Sequence, residues 1–167
     1  MASIDPATLG GWYDAHAAAL VLYARQFVSP GEAEDIVQDV FVRLMAQRGR
    51  PDNARAWLFR SVRNAAVSRL RAGHRRRRRE QARAAGRREA FESRPEDLID
   101  ARVARQLLAS LPQDQREVVV LRVWSGLTLR EIAETTDAGI TSVFRRYRAG
   151  LAALRKGMES SCHKKSV

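Results

Sequence analysis

Cysteine is almost absent from this 167-residue chain, with Cys162 near the C-terminal end as its single instance. A disulfide framework inside the chain is therefore excluded, in keeping with a reducing compartment. Histidine is scarce too: His16, His74 and His163 form no metal-ligand spacing with one another or with Cys162. No serine, cysteine or carboxylate pair occupies a recognisable catalytic setting, so the sequence points to no enzyme, no cofactor and no metal. No stretch approaches the roughly 20 apolar residues of a membrane span. No charged N-terminal segment leads into an apolar run with a cleavage site, so no signal peptide and no membrane insertion are expected, and the cytoplasm is the expected location. Five prolines and ten glycines leave long uninterrupted stretches, which suits helices. The regular series of short β-branched segments that an all-β fold needs is missing.

What is present is a 45% apolar fraction, enough for a packed core. The length has room for one ordinary domain or two small ones. The net charge of +11 draws attention first, because a chain this basic attracts polyanions, nucleic acid above all. That charge is unevenly placed. Residues 55–88 hold thirteen arginines against one acid, Glu80, so this stretch carries +12 and the remainder about −1.

Apolar periodicity divides the chain into two helical halves. A first helix is predicted over about Pro6–Val28, broken by Ser29-Pro30-Gly31. A second places Ile36, Val37, Val40, Phe41, Leu44 and Met45 on one stripe and Asp35, Gln38, Asp39 and Arg43 opposite. A third starts near Asn53 with Trp57, Leu58, Ser61, Val62, Ala65, Ala66 and Leu70 inward, leaving Arg60, Arg63, Asn64 and Arg71 for other faces. Trp57 and Phe59 can each serve as core or as a base-stacking platform. From Gly73 to about Arg94 no strong apolar stripe exists, and this is the expected linker. Its alanine and arginine content leaves helix open there.

Periodicity resumes in the second half. Leu98, Arg102, Leu107, Leu108 and Leu111 belong to a helix that Pro112 closes. Another spans about Gln113–Trp124, with Gly126 suited to its left-handed cap. Thr128-Leu129-Arg130-Glu131 fits a capping box, opening a short helix with Leu129, Ile132 and Ala133 inward. Asp137-Ala138-Gly139 makes a turn before a final helix of about Thr141–Met158, whose inner side is read as Val143, Tyr147, Leu151 and Leu154. Short helix, glycine-containing turn and longer basic helix form the helix-turn-helix pattern. In that motif the second helix enters the major groove. Thr141, Arg145 and Arg148 face away from the stripe, with Ser142, Phe144 and Arg146 on its flanks. Arginine can pair with guanine or with phosphate there. A helical hairpin with solvated arginines is the plain alternative, and the run Arg75–Arg79 can equally be a solvated or nonspecific polyanion-binding segment.

Four stretches together resemble the extracytoplasmic-function sigma factors of the sigma-70 family. They are Ala33-Glu34-Asp35-Ile36-Val37-Gln38-Asp39-Val40-Phe41-Val42-Arg43-Leu44 and Ala56-Trp57-Leu58-Phe59-Arg60-Ser61-Val62-Arg63-Asn64-Ala65-Ala66 in the first half. In the second half they are Leu111-Pro112-Gln113-Asp114-Gln115-Arg116-Glu117-Val118 and Gly126-Leu127-Thr128-Leu129-Arg130-Glu131-Ile132-Ala133-Glu134. The resemblance covers roughly residues 8–156. It implies an all-α protein of two small helical domains joined by a basic linker, the C-terminal one a helix-turn-helix. Residues 1–74 would bind core RNA polymerase and the promoter's minus-10 element, 75–94 would be the arginine-rich linker, 95–158 would read the minus-35 element, and 159–167 would be a disordered tail. The resemblance puts Asp35, Gln38 and Asp39 on the polymerase. It puts Trp57, Arg60, Arg63, Asn64 and Arg71 on the minus-10 DNA. Thr141, Ser142, Phe144, Arg145, Arg146 and Arg148 fall to the minus-35 DNA. The expected partners are core RNA polymerase, promoter DNA and an anti-sigma factor.

Three departures from the family pattern stand out. Ser68 occupies a position where an acid is common, and Phe144 and Ala149 replace basic residues of the recognition helix. Two rival functions remain in view: a free-standing helix-turn-helix regulator, and an arginine-rich RNA-binding protein. The acidic-faced second helix argues against both, since neither needs it.

Overall fold

The computed structural model describes residues 4–47, 49–81 and 99–163. Among them are seven helices and no strand: α1 (Pro6–Ala24), α2 (Pro30–Ala46), α3 (Ala54–Gln81), α4 (Ile99–Ser110), α5 (Gln113–Val123), α6 (Leu129–Thr136) and α7 (Ile140–His163). They make two compact units, the first around α1–α3 and the second around α4–α7. The all-α, two-domain class expected from the sequence is the one adopted. The remainder of the expected linker, from residue 82 onward, lies outside the described residues.

In the first unit α1, α2 and α3 each pack against the other two. Asp5 opens α1 by accepting from the Thr8 amide at 3.0 Å, with Pro6 in the first turn where its missing N–H costs nothing. The Thr8 hydroxyl bond also holds the Asp5 carboxyl below its ordinary pKa. α1 stops at Ala24, short of the expected Val28, because the Gln26 and Phe27 amides turn back to the Tyr23 and Ala24 carbonyls. Ser29-Pro30-Gly31 is both break and start. Ser29 caps α2, its amide donating to Glu32 Oε2 at 3.1 Å, with Pro30 at the first helical position. α2 buries Ala33, Ile36, Val37, Val40, Phe41 and Leu44, whereas Met45, expected on the same stripe, is 57% exposed in the last turn.

Asn53 starts α3 by accepting from the Ala56 amide at 3.0 Å. Leu58, Phe59, Val62 and Ala66 are its buried residues. Phe59 is core and no stacking platform: it is fully buried, edge-on to Tyr23 at 5.6 Å, a geometry in which the ring quadrupoles attract. Trp57 and Ser61, expected inward, are half-buried. Beyond Leu70 the helix continues through Arg75–Arg79 to Gln81, across the boundary expected at residue 74. From residue 75 to 81 the sequence holds no apolar residue, but no proline breaks the helix, and arginine is a good helix former.

In the second unit α7 packs on α5 and α4. α5 buries Glu117, Val118, Val119, Val120 and Leu121. Gly126 takes the left-handed φ of 63° anticipated for it. The Thr128 capping box is formed, the Glu131 amide donating to Thr128 Oγ1 at 3.2 Å and the Thr128 amide to Glu131 Oε2 at 2.7 Å. In the following turn the left-handed residue is Asp137, at φ 53°, rather than Gly139. Aspartate tolerates this conformation better than most residues.

The inner face of α7 differs from the expected stripe. Val143 is fully buried and Tyr147 and Leu154 half-buried, but Leu151 is 39% exposed. Glycine takes the facing position: a Cβ on Gly150 would lie 2.7 Å from Val119 Cγ2, and one on Gly157 would collide with the Leu107 side chain. α7 is thus pulled close to α5 and α4 through two side-chain-free positions, which apolar periodicity cannot register. It also runs to His163, into the segment expected as a disordered tail. No helix breaker stands there, and the Ser160 hydroxyl donates to the Lys156 carbonyl at 2.9 Å. Residues 164–167 lie outside the described residues.

Candidate functional site

The outer face of α2 is built by default. Once the apolar stripe is buried against α1 and α3, Asp35, Gln38 and Asp39 point to solvent. Asp39 has a partner on α3, Arg69 Nη2 at 3.6 Å, while both side chains remain largely open to water. Val42 continues this face one turn further and is 62% exposed. Helical spacing assigned it to neither the apolar stripe nor the polar face.

α3 turns Trp57, Arg60, Asn64, Ser68, Arg71 and Arg75 to one side, at successive intervals of three or four residues, opposite the Leu58/Val62/Ala66 core face. Arg60, Asn64 and Arg71 are exposed, and Trp57 and Arg63 are half-buried. Arg63, Asn64, Val67, Ser68, Arg71 and Arg75 line one surface groove of about 270 Å³. Three of the five residues expected on the downstream element are therefore brought together, and Trp57 and Arg60 flank them on the preceding turns. Ser68 and Arg75 join the groove without having been singled out for it. Serine at 68 leaves its floor free of the negative charge an acid would add. Where the chain enters α3, the Arg50 guanidinium lies 5.0 Å above the Trp12 ring, tying this loop to α1 by cation–π attraction.

The third face is the outer side of α7. Thr141, Phe144, Arg145 and Arg148 are exposed, and Ser142 is half-buried. Arg146 is set apart from them: it is half-buried and its Nε lies 3.0 Å from Asp114 Oδ2 on α5. The Arg148 guanidinium stands 5.8 Å from the centre of the Phe144 ring.

Two pKa shifts belong to the framework. Burial, with the nearby Arg55 charge, lowers the His16 imidazole below its ordinary value. Burial also lowers Arg116, whose Nη1 donates to the Ala109 carbonyl at 3.2 Å across the α4–α5 corner. Among the described residues no three His, Cys, Asp or Glu side chains are placed to share a metal. No described helix is long and apolar enough to cross a membrane.

One unit thus pairs an acidic outer helix with a basic groove, and the other carries a helix-turn-helix. Residues 12–78 match the model of Sigma-70 region 2, and residues 101–154 match that of Sigma-70 region 4. The ECF RNA polymerase sigma factor SigL of Mycobacterium tuberculosis is 30% identical over 92% of this chain and 90% of its own length. The ECF RNA polymerase sigma factor SigK of Mycolicibacterium vanbaalenii is 28% identical over 93% and 84%. The sigma factor RpoE of Bartonella quintana, solved with the anti-sigma factor NepR, superposes with a TM-score of 0.74 at 22% identity, covering 91% of this chain and 97% of that one. CnrH, solved with the cytosolic domain of CnrY, gives 0.61 at 28% identity, covering 93% and 90%. The chain belongs to the sigma-70 family, and within it to the extracytoplasmic-function sigma factors. It directs core RNA polymerase to promoters at the initiation of transcription.

Proposed function

We propose that the three faces divide this work. The exposed side of α2, with Asp35, Gln38, Asp39 and the adjoining Val42, docks on a basic surface of core polymerase. Carboxylates and an amide on a rigid helix suit such a partner, and charge complementarity across an interface speeds encounter and fixes register. The α3 side with Trp57, Arg60, Arg63, Asn64 and Arg71 holds the minus-10 strand, arginines on phosphate and the Asn64 amide on a base edge, to which it can both donate and accept. The outer side of α7 reads the minus-35 element through Thr141, Ser142, Phe144, Arg145 and Arg148. Arg146 keeps α7 on α5 through Asp114 and contributes to DNA as a flanking charge.

In this scheme residues 1–74 serve polymerase and the minus-10 element, 95–158 serve the minus-35 element, and 75–94 connect them. The boundary near residue 74 is then one of role, set where the core face of α3 ends, and not a break in the helix. The protein performs no covalent chemistry of its own and works in the cytoplasm. An anti-sigma factor restrains it, as the complexes of RpoE with NepR and of CnrH with CnrY suggest. The observation that carries the reading is the segregation of charge: acidic on the outer face of α2, basic on the outer faces of α3 and α7. A free-standing regulator has no use for the first of these. The test is run-off transcription by purified core polymerase with and without this chain. Promoter-specific transcripts are expected only with it, and duplex binding that is indifferent to polymerase would overturn the scheme.

A further inference from the structure

Phe144 is an unusual residue to find where it is. It lies one turn into the second helix of the helix-turn-helix, beside Thr141 and Arg145 on the outer side, and nearly half of its surface meets water. No core claims it: Val143, Tyr147, Gly150 and Leu154 face inward from this helix. Its ring is not loose, because Arg148, one turn on, holds its guanidinium 5.8 Å from the ring centre, within the range of cation–π attraction. The exposed ring and the charge thus form one unit at the N-terminal end of α7, the end that meets base edges in this motif.

We propose that Phe144 reads the 5-methyl group of a thymine in the minus-35 element, with Arg148 positioned by the same ring over the neighbouring backbone or base. The proposal rests on α7 being the helix that enters the upstream element. The chemistry selects the ligand. A phenyl edge has no donor or acceptor, so it gains nothing from the polar edges of guanine, cytosine or adenine, and the thymine methyl is the one apolar group in the major groove. Leu151 and Met158 are also exposed on α7, but they lie about 10 and 21 Å further along the axis at 1.5 Å per residue, beyond the end that meets the bases; Ile140, exposed at the first residue of the helix one turn before Phe144, extends the same apolar patch. The basic residue usual at this position would select guanine or phosphate, so exchanging it for Phe144 changes the base preferred and not only the affinity.

The test uses holoenzyme assembled from core polymerase and the full chain, selecting binders from duplex DNA randomised over both promoter elements. With the parent chain one upstream position is expected to emerge as thymine. With Phe144→Ala that preference should vanish while the other positions persist. Replacing the selected thymine by deoxyuridine, which lacks only the methyl, should weaken parent binding about fourfold, the worth of one buried methyl-sized group. It should leave Phe144→Ala unaffected. Parent binding indifferent to every deoxyuridine substitution, or an unchanged upstream preference in Phe144→Ala, overturns the proposal. So does an effect of Phe144→Ala on capture by a protein inhibitor alone, with DNA selection unaltered. If the parent shows no upstream preference of any kind, the reading of α7 as the upstream reader fails with it. If a preference exists without a methyl contribution, only the role of Phe144 falls.

Discussion

The two glycines of α7 set how closely this helix sits on α5 and α4, and Gly150 gives this a measurable form. In an open helix Gly→Ala stabilises by about 0.8–1.0 kcal/mol through backbone entropy. At Gly150 the new methyl would lie 2.7 Å from Val119 Cγ2, with Gln115 O and Cβ at 3.5 and 3.6 Å. Val119 cannot swing away cheaply: it is 1% exposed, and a β-branched side chain in a helix has one strongly preferred rotamer. α7 must lift or α5 must shift, at an overpacking cost of about 1–3 kcal/mol. Gly150→Ala is therefore expected to destabilise the second unit by roughly 1 kcal/mol net, which lowers the midpoint by about 4–8 °C for a unit of this size. Gly11→Ala in α1 is the control, since nothing lies within 4 Å of its would-be Cβ; the same change should raise the midpoint of the first unit. Thermal melts of the full chain read the second unit by Trp124 fluorescence in a Trp12→Phe/Trp57→Phe background, and the first unit by Trp12 and Trp57 fluorescence in a Trp124→Phe background. Promoter binding by holoenzyme should weaken along with it. A Gly150→Ala protein melting at or above the parent would refute the close-packing argument.

Reversing Asp35 and Asp39 to lysine should weaken binding to core polymerase in titration while leaving the helical circular dichroism unchanged. The lost Asp39–Arg69 pair is surface-exposed and worth at most about 1 kcal/mol. Asn64→Ala should leave core binding alone and reduce open-complex formation, read by permanganate reactivity of unpaired thymines; melting at the parental rate would make Asn64 a structural residue. Because burial and Arg55 hold the His16 imidazole below its ordinary 6.5, the unfolded chain takes up its proton first as pH falls. Stability is then full above that value and declines as pH drops through it toward the folded-state pKa. His16→Gln should flatten the midpoint between pH 7 and 5.5, and an unaltered slope would count against this source.

Much of this architecture is local in origin and therefore written along the chain. The stripe Ile36/Val37/Val40/Phe41/Leu44, the caps at Ser29 and Thr128, the left-handed Gly126 and the stop at Pro112 each depend on residues within one or two turns. Hydrogen bonding and steric rules act at that range. The polar side of α2 follows from the same periodicity, since burying one side of a helix exposes the other. The chain alone thus determined two helical units, the helix-turn-helix, and the outward side of α2 that carries Asp35, Gln38 and Asp39.

What tertiary packing decided is of a different kind. Phe59 and Trp57 are aromatics two positions apart, yet one is sealed against Tyr23 and the other shares the side of α3 that carries Asn64. Only the placement of α1 separates them. Leu151 gives way to Gly150 on the inner face of α7 because α5 approaches too closely for a side chain there, a distance no periodicity contains. Arg146 is drawn to Asp114 while Arg148 settles beside Phe144, so two similar arginines on one helix acquire different surroundings. Composition records which side chains a helix presents. Which of them are occupied, sealed or open depends on the neighbouring helices, and those belong to the fold.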